Sequence, residues 1–508
     1  MDPKPIDILR ERLREASHLG ATVALLDWDQ EVNMPAKGAN ARAAAIAYLS
    51  AVVHNKFVAI DEDGLLTGLK KLLDNPPADI NQALTKREAV IVRETWRSYE
   101  KEKKLPETFV KKLAEASSKS QIVWAEARAK NDFALWLPWL EKIIKLKQQE
   151  AEYLGYQNSP YDALIDAYEP GMTTAETARV LGELKDFLLP FLRQTKASKT
   201  KIETKKILGR FPISQQVTLN KLIAGQMGFD IEAGRLDKSV HPFSTNFHPT
   251  DVRMTTRYRE DDVLYSIGST IHETGHALYE QNLPAEDFGT PLAETVSMGI
   301  HESQSRLWEN NIGQSLPFWQ YFYPKLQVAF PKPFKRLKLA KLYQIINKVE
   351  PSLVRTEADE VTYNLHIILR FELERALIEG QLEAGELPQA WNTKMKEYLG
   401  LEVPNDQLGV LQDIHWAGGD IGYFATYSLG NLYAAQFYQQ LRKDLPELDQ
   451  QIATGDFSKI NHWLKQNIHR HGKTYRAGEL IKKVTGEELT SRYFIDYLKA
   501  KYQKIYNL

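Results

Sequence analysis

Along most of the chain, apolar residues recur at three- and four-residue spacing, the period of a helix that buries one stripe. Ile6–Asp29 ("IDILRERLREASHLGATVALLDWD"), Glu176–Gln194 ("ETARVLGELKDFLLPFLRQ") and Tyr363–Gly380 ("YNLHIILRFELERALIEG") all read this way. "TTAET", Thr173–Thr177, offers a threonine N-cap with an acid in the first turn. Prolines and glycines fall mostly between the periodic segments, as in "DNPPAD", "YEPGM" and "GELPQ". The pattern changes at Gly234–Tyr258 ("GRLDKSVHPFSTNFHPTDVRMTTRY"), where Thr, Ser, Phe, Val and Pro alternate in short pieces. This predicts a small antiparallel hairpin or ribbon feeding into the next helix. There is no internal repeat, low-complexity tract or flexible linker, so the expected architecture is mostly α, in one continuous or two-lobed body.

That next helix carries "HETGH", His272 to His276. On a helix the two histidines lie one turn apart on one face, so both imidazoles can reach one ion. Glu273 sits about 100° further round, placed to reach a water beside the ion without ligating it. This suits metal-assisted hydrolysis, in which the ion acidifies water and a carboxylate takes its proton. The same five-residue pattern also arises by chance on exposed polar stripes, but the flanks here, "VLYSIGSTI" and "ALY", are apolar and fit a buried face. The extension expected of metzincins is absent, since the relevant positions are Tyr279 and Asn282. A glutamate on a following helix is available twice in "PLAETVSMGIHESQSRLWEN", as Glu294 and Glu302, eight residues apart and thus on roughly similar faces of one helix. Spacing does not choose between them.

Composition narrows the classes. The chain has 508 residues, 43% of them apolar, enough for a large core or more than one. Its formal net charge is -1, which argues against nucleic acid as a partner. The most basic run, Arg193–Arg210, reads as a solvated loop between helices. With no cysteine, a metal must be held by His, Asp or Glu, and no disulfide or cysteine nucleophile exists. No signal peptide is expected at the start, and no run approaches eighteen uninterrupted apolar residues, so neither a membrane span nor a membrane partner is expected. A cytoplasmic protein is the expectation.

"HETGH" followed by "HESQ" (His301–Gln304) resembles the carboxypeptidase Taq family, the M32 metallocarboxypeptidases. Further stretches match that family's signatures in order: "HPF" at His241–Phe243, "DVRMT" at Asp251–Thr255, "VRTEAD" at Val354–Asp359 and "GVLQDIHW" at Gly409–Trp416. The likeness extends to "ALLDWDQEVNMP" near the start and "HRHGKTYRAGELIKKVTGEEL" near the end, so it covers essentially the whole chain.

The resemblance implies a two-lobed helical metallopeptidase with a deep central groove, similar to neurolysin and angiotensin-converting enzyme. It implies one catalytic unit over residues 1–508, with an N-terminal helical lid over about residues 1–100 and catalytic motifs between 241 and 427. It further implies a homodimer, one divalent metal per chain (zinc, with cobalt the other candidate) and release of single residues from peptide C-termini with broad specificity. Glu302 matches the third ligand, beside His272 and His276, and Glu294 becomes a candidate to hold a ligand histidine in its tautomer. Arg253 and Arg355 match the arginines that grip the terminal carboxylate, for which a bidentate guanidinium is suited. Asp251, two before Arg253, and Asp359, four after Arg355, are placed by spacing to orient or neutralise the guanidiniums, with structural roles expected for both.

His415 and Tyr423, in "QDIHWAGGDIGYFATY", resemble the donors that stabilise an oxyanion, with Glu273 as general base. The loop departs from its relatives at Ile421 and Ala425, which leaves its shape and side-chain preference open. His469 and His471, two residues apart, are not read as a metal pair. The rival readings are a groove-type oligopeptidase or dipeptidyl carboxypeptidase, a peptide-binding protein on a peptidase scaffold, and a structural zinc protein. The arginine pair opposes the first, the intact Glu273 the second, and a three-ligand site with room for water the third.

Overall fold

The computed structural model describes residues 3–77, 83–203 and 207–508. Residues 78 and 79 of "DNPPAD" and residues 204–206 of the basic run lie outside these. The described remainder of that run divides between the end of the helix Thr174–Ala197 and irregular chain.

The mostly helical expectation holds, with helices from Pro5–Val32 to Arg492–Tyr506 and one small sheet. Local chemistry sets many of the helix starts. Thr173 accepts from Glu176 N, Asp262 from Tyr265 N and Ser297 from Ile300 N, each satisfying a first-turn amide.

The N-terminal part is built from α1 (Pro5–Val32), α2 (Ala39–Val58), α3 (Leu65–Asp74) and α4 (Lys86–Lys104). Ile6 and Leu9 of α1, Leu66 and Leu69 of α3, and Ile91 and Val92 of α4 form a core of their own, into which Leu292 inserts. The other helices share one large core running from Phe109 to Tyr506. In contrast, α2 buries no residue, and Tyr48 is 70% exposed. Within Ala36–Asp61, an eighteen-residue window has a mean hydropathy of 1.5, long and apolar enough by composition to cross a membrane. Much of that apolarity is alanine, and Arg42 within it donates to Asp29 of α1 at 2.7 Å.

The expected antiparallel hairpin is one half of a three-stranded mixed sheet. β1 (Gly234–Lys238) runs parallel to β3 (Asp251–Thr256), and β2 (Ser244–His248) runs antiparallel to it, in the order β1-β3-β2. The hairpin of β2 and β3 was legible from alternation and a proline turn. The parallel partner was not, because β1 pairs across the intervening β2.

Two helices then carry the H-E-T-G-H and H-E-S-Q residues: Val263–Gln281 and Met298–Arg306. They touch at Gly275, where a Cβ would lie 2.6 Å from Ser305 Cα and 2.7 Å from Gln304 O. Only glycine permits this approach. The second helix continues as a π turn, Leu307–Gly313.

Candidate active site

The histidines of the first helix and Glu302 of the second converge. His272 Nε2 and His276 Nε2 are 3.2 Å apart, and Glu302 Oε2 lies 3.8 and 3.4 Å from them respectively. Among the described residues these three form the one group of His and acidic side chains arranged to hold a metal ion. Nitrogen and oxygen donors at such separations, with no thiolate, fit a divalent metal cation.

Arg306, one turn after Glu302, donates from Nε to Glu302 Oε1 at 2.6 Å and from Nη1 to Glu309 Oε2 at 3.2 Å. Burial works against the Glu302 charge, but Arg306 and the histidines hold its carboxyl well below the usual range. His272 Nδ1 pairs with Glu309 Oε2 at 2.8 Å. Burial disfavours the imidazolium, yet Glu302 and Glu309 outweigh it and raise His272 to about 9. The site attracts positive charge. His276 is driven down to about 3 by burial and by His301, which stacks on it at 4.4 Å and pairs with Glu280. Glu273 is buried, and burial lifts its carboxyl to about 7.

Glu294 is not where the sequence reading put it. It ends the short 3-10 turn Pro291–Ala293, while Ser297 starts a new helix, so Glu294 and Glu302 do not share one. Its carboxylate pairs with Lys473 and is half exposed. Glu309 instead pairs with His272 Nδ1, carried round by the π turn.

Arg355 is buried, and its Nη2 donates to Asp413 Oδ1 at 3.2 Å and its Nη1 to Tyr363 Oη at 3.2 Å. Arg370 donates to Asp413 Oδ2 at 2.5 Å from the other side. Burial opposes the Asp413 charge, but Arg370 and Arg355 outweigh it and keep the carboxylate ionised. Asp359, expected to orient Arg355, instead accepts from the amides of Val361 and Thr362 ahead of the helix Tyr363–Ile378. Arg253 takes its expected partner, with Nε and Nη2 on the two oxygens of Asp251 at 3.0 and 3.1 Å. It also stacks over Trp28 and Phe247. None of these contacts belongs to the metal group or to the Arg355 cluster.

His415 and Tyr423 stack with ring centroids 5.4 Å apart. Burial holds His415 neutral, at about 4, against the pull of Asp413. Burial raises the Tyr423 phenol, whose surroundings include Tyr427, Glu302 and Arg355. The Tyr423 ring packs edge-on against Tyr427 at 5.2 Å, and the Arg355 guanidinium lies 4.8 Å from the Tyr427 ring centre. Tyr363 joins the same groups by contact: Arg306 stacks over its ring at 4.4 Å and Arg355 donates to its hydroxyl.

Ile421 and Ala425 are buried in the core, so they do not face substrate as side chains. His469 is fully buried, paired with Gln304 and Asn282 and stacked on Tyr279, a brace between the helices Val263–Gln281 and Met298–Arg306. Arg306, Glu309, Tyr363, Arg370 and Asp413 are not singled out by the sequence; the i, i+4 spacing of Glu302 and Arg306 and the i, i+3 spacing of Arg306 and Glu309 are the local signals for the first two.

A helical fold with an H-E-x-x-H helix and a glutamate from the following helix defines a metallopeptidase. The family model for carboxypeptidase Taq (M32) metallopeptidase matches residues 8–502, and the chain belongs to that family. It is 42% identical to carboxypeptidase 1 of Bacillus subtilis (strain 168), over 98% of this chain and 97% of that protein. It is 41% identical to thermostable carboxypeptidase 1 of Thermus thermophilus, over 98% of each chain. The crystal structure of M32 carboxypeptidase from Deinococcus radiodurans R1 matches with a TM-score of 0.94 and 37% identity, over 100% of both chains.

Proposed function

We propose that this enzyme removes single amino acids from the C-termini of peptides, with broad specificity. One observation carries the reading: two buried guanidiniums, Arg355 and Arg370, share the single carboxylate of Asp413, and Tyr363 joins Arg355 to Arg306 beside Glu302. Such a cluster keeps an unbalanced positive charge in a place of low dielectric, and a terminal carboxylate completes it.

A divalent cation held by His272, His276 and Glu302, zinc or else cobalt, supplies Lewis acidity that acidifies water and polarises the scissile carbonyl. Glu273 accepts the proton of the attacking water and returns it to the leaving amine. Its carboxyl, lifted towards neutrality by burial, suits both directions of transfer. Tyr423, with neutral His415 beside it, donates to the carbonyl oxygen as charge develops there. Glu309 fixes the His272 tautomer and Arg306 aims the Glu302 carboxylate. Arg253 is proposed as a second, outer grip on substrate, with its guanidinium pre-oriented by Asp251.

We further propose that residues 1–508 act as one catalytic unit in which α1–α4 serve as a lid. Asn246 of β2, Glu280 of the metal helix and Gly20 and Ala21 of α1 line one pocket of about 340 Å³, which supports that role. The exposed apolar surface of α2 supports a homodimer, which Tyr48→Glu should weaken in sedimentation. A cytoplasmic location is proposed on the charge-rich, cysteine-free composition.

Digestion of one defined peptide by the metal-loaded protein tests the activity. A one-residue ladder from the C-terminus, read by mass, is expected; internal fragments or a two-residue ladder would reject it.

A further inference from the structure

His415 and Tyr423 sit at the two ends of a glycine-rich loop, a poor element on which to hold donors to fractions of an ångström. One buried side chain reaches both ends. Glu374, on the helix Tyr363–Ile378, accepts from Trp416 Nε1 at 2.8 Å on Oε1, and from Gly422 N at 3.2 Å on Oε2. Trp416 directly follows His415, and Gly422 directly precedes Tyr423. Tyr161 Oη completes the set, donating to Oε2 at 2.7 Å. Gly422 has φ of +98°, and a Cβ there would lie 2.9 Å from the backbone of Leu164, so the loop is pressed against the helix that carries Tyr161.

We infer that Glu374 is the positioning residue of the oxyanion side of the site, tying down both ends of the loop that presents His415 and Tyr423. The inference rests on the reading of those two residues as donors. A carboxylate is required here because an indole N–H and a backbone N–H can only donate. An amide at position 374 offers one oxygen, so its NH₂ must face one of the two, and one end of the loop is released. The burial that lifts the Glu374 carboxyl to about 7 marks what holding an acid there costs the fold. Three neutral donors meet its charge, with Arg370 at longer range.

The test is Glu374→Gln in the full-length, metal-loaded protein. Misplaced donors lower kcat by about 10- to 100-fold, while KM for a free-carboxylate peptide stays within about twofold and metal affinity is unchanged. Amide hydrogen exchange should speed up in residues 415–424 and not in 263–281. In the Tyr423→Phe background, the further loss of kcat caused by Glu374→Gln should shrink to what misplacing His415 alone costs, since one of the two donors it positions is already gone. Unchanged kcat, losses that multiply in full, or faster exchange throughout the chain would overturn the inference. Tyr423→Phe alone reports on the donor with Glu374 intact, so failure of the donor assignment is distinguishable from failure of the clamp. If Glu374→Gln does not fold, Trp416→Phe removes one clamp from the loop side and faces the same outcomes.

Discussion

Arg306 donates to Oε1 of Glu302 at 2.6 Å, one helical turn away, and leaves Oε2 turned towards His272 and His276. The pair divides the carboxylate between two tasks. One oxygen takes a charge-assisted hydrogen bond that fixes the rotamer, and the other, which also accepts from Ser305 Oγ at 3.2 Å, faces the two histidines. Arg306 also offsets a second, partly buried carboxylate, since Glu309 Oε2 lies 3.2 Å from it.

Metal dependence follows from this arrangement. Chelation should abolish peptide hydrolysis, and zinc or cobalt should restore it. Glu302→Ala should lose the metal, while Glu309→Gln should weaken its binding about 10- to 100-fold by releasing the His272 tautomer. Glu294→Ala should leave affinity unchanged, because Glu294 pairs with Lys473. Competition titration with a chromophoric chelator ranks the three, and a different order counts against the assignment.

Glu273→Gln should bind metal and peptide yet be nearly inert. The amide keeps size and polarity but cannot accept a proton from water. Single-turnover assays on protein of measured metal content decide this, and substantial turnover would remove Glu273 from the role.

Amidating the peptide C-terminus removes the charge that the Arg355, Arg370 and Asp413 cluster is proposed to bind. Such peptides should lose at least about tenfold in kcat/KM, equivalent to about 1.4 kcal/mol. Arg355→Lys should reproduce much of that loss on free-acid peptides, because a point charge cannot match a bidentate fork. Equal cleavage of free and amidated peptides would favour an oligopeptidase.

Tyr423→Phe removes one oxygen and keeps the ring stack on His415. Folding and metal content should be unchanged. The loss should fall on kcat, roughly 10²- to 10³-fold, as for an oxyanion donor, with KM little altered. A near-normal kcat would make the hydroxyl incidental, and a change confined to KM would place Tyr423 in substrate binding.

Glu169 should give a measurable pH signature. It is fully buried at the start of the helix Met298–Arg306, and burial lifts its carboxyl from 4.5 to about 7 despite bonds from Ser297, Gly299 and Tyr433. The folded state therefore binds this proton more tightly than the unfolded state, so its contribution to stability is fully present below 4.5 and is lost as pH rises through about 7. The size is roughly 3 kcal/mol. Glu169→Gln removes the titration and keeps the contacts, since its NH₂ can donate to the two hydroxyls while its oxygen accepts from Gly299. Its melting temperature relative to the unaltered chain should rise between pH 4.5 and about pH 8. Parallel curves would sink the assignment.

How much of this was legible in sequence depends on how far apart the partners lie along the chain. A helix puts residues four apart on one face whatever surrounds it, so the convergence of His272 and His276 could be read directly. The helical period, the N-cap at Thr173 and the pairing of Asp251 with Arg253 on alternate positions of one strand are local in the same sense. The family motifs drew attention to Arg355 and to the loop from His415 to Tyr423, but not to what holds them.

Those partners were decided by tertiary structure. Asp413 reaches Arg355 from 58 residues away and Glu309 reaches His272 from 37, while the nearer acids Asp359 and Glu294 are turned elsewhere. Asp359 is consumed by the amides at the start of a helix. Glu294 is cut off from Glu302 because Ser297 begins a new helix between them. Periodicity could not show either break, because a cap and a π turn change a side chain's direction without changing the apolar spacing around it. Only packing determines which distant carboxylate then stands opposite each buried cation, because a buried cation needs a carboxylate against it, even one shared as Asp413 is, to offset its desolvation.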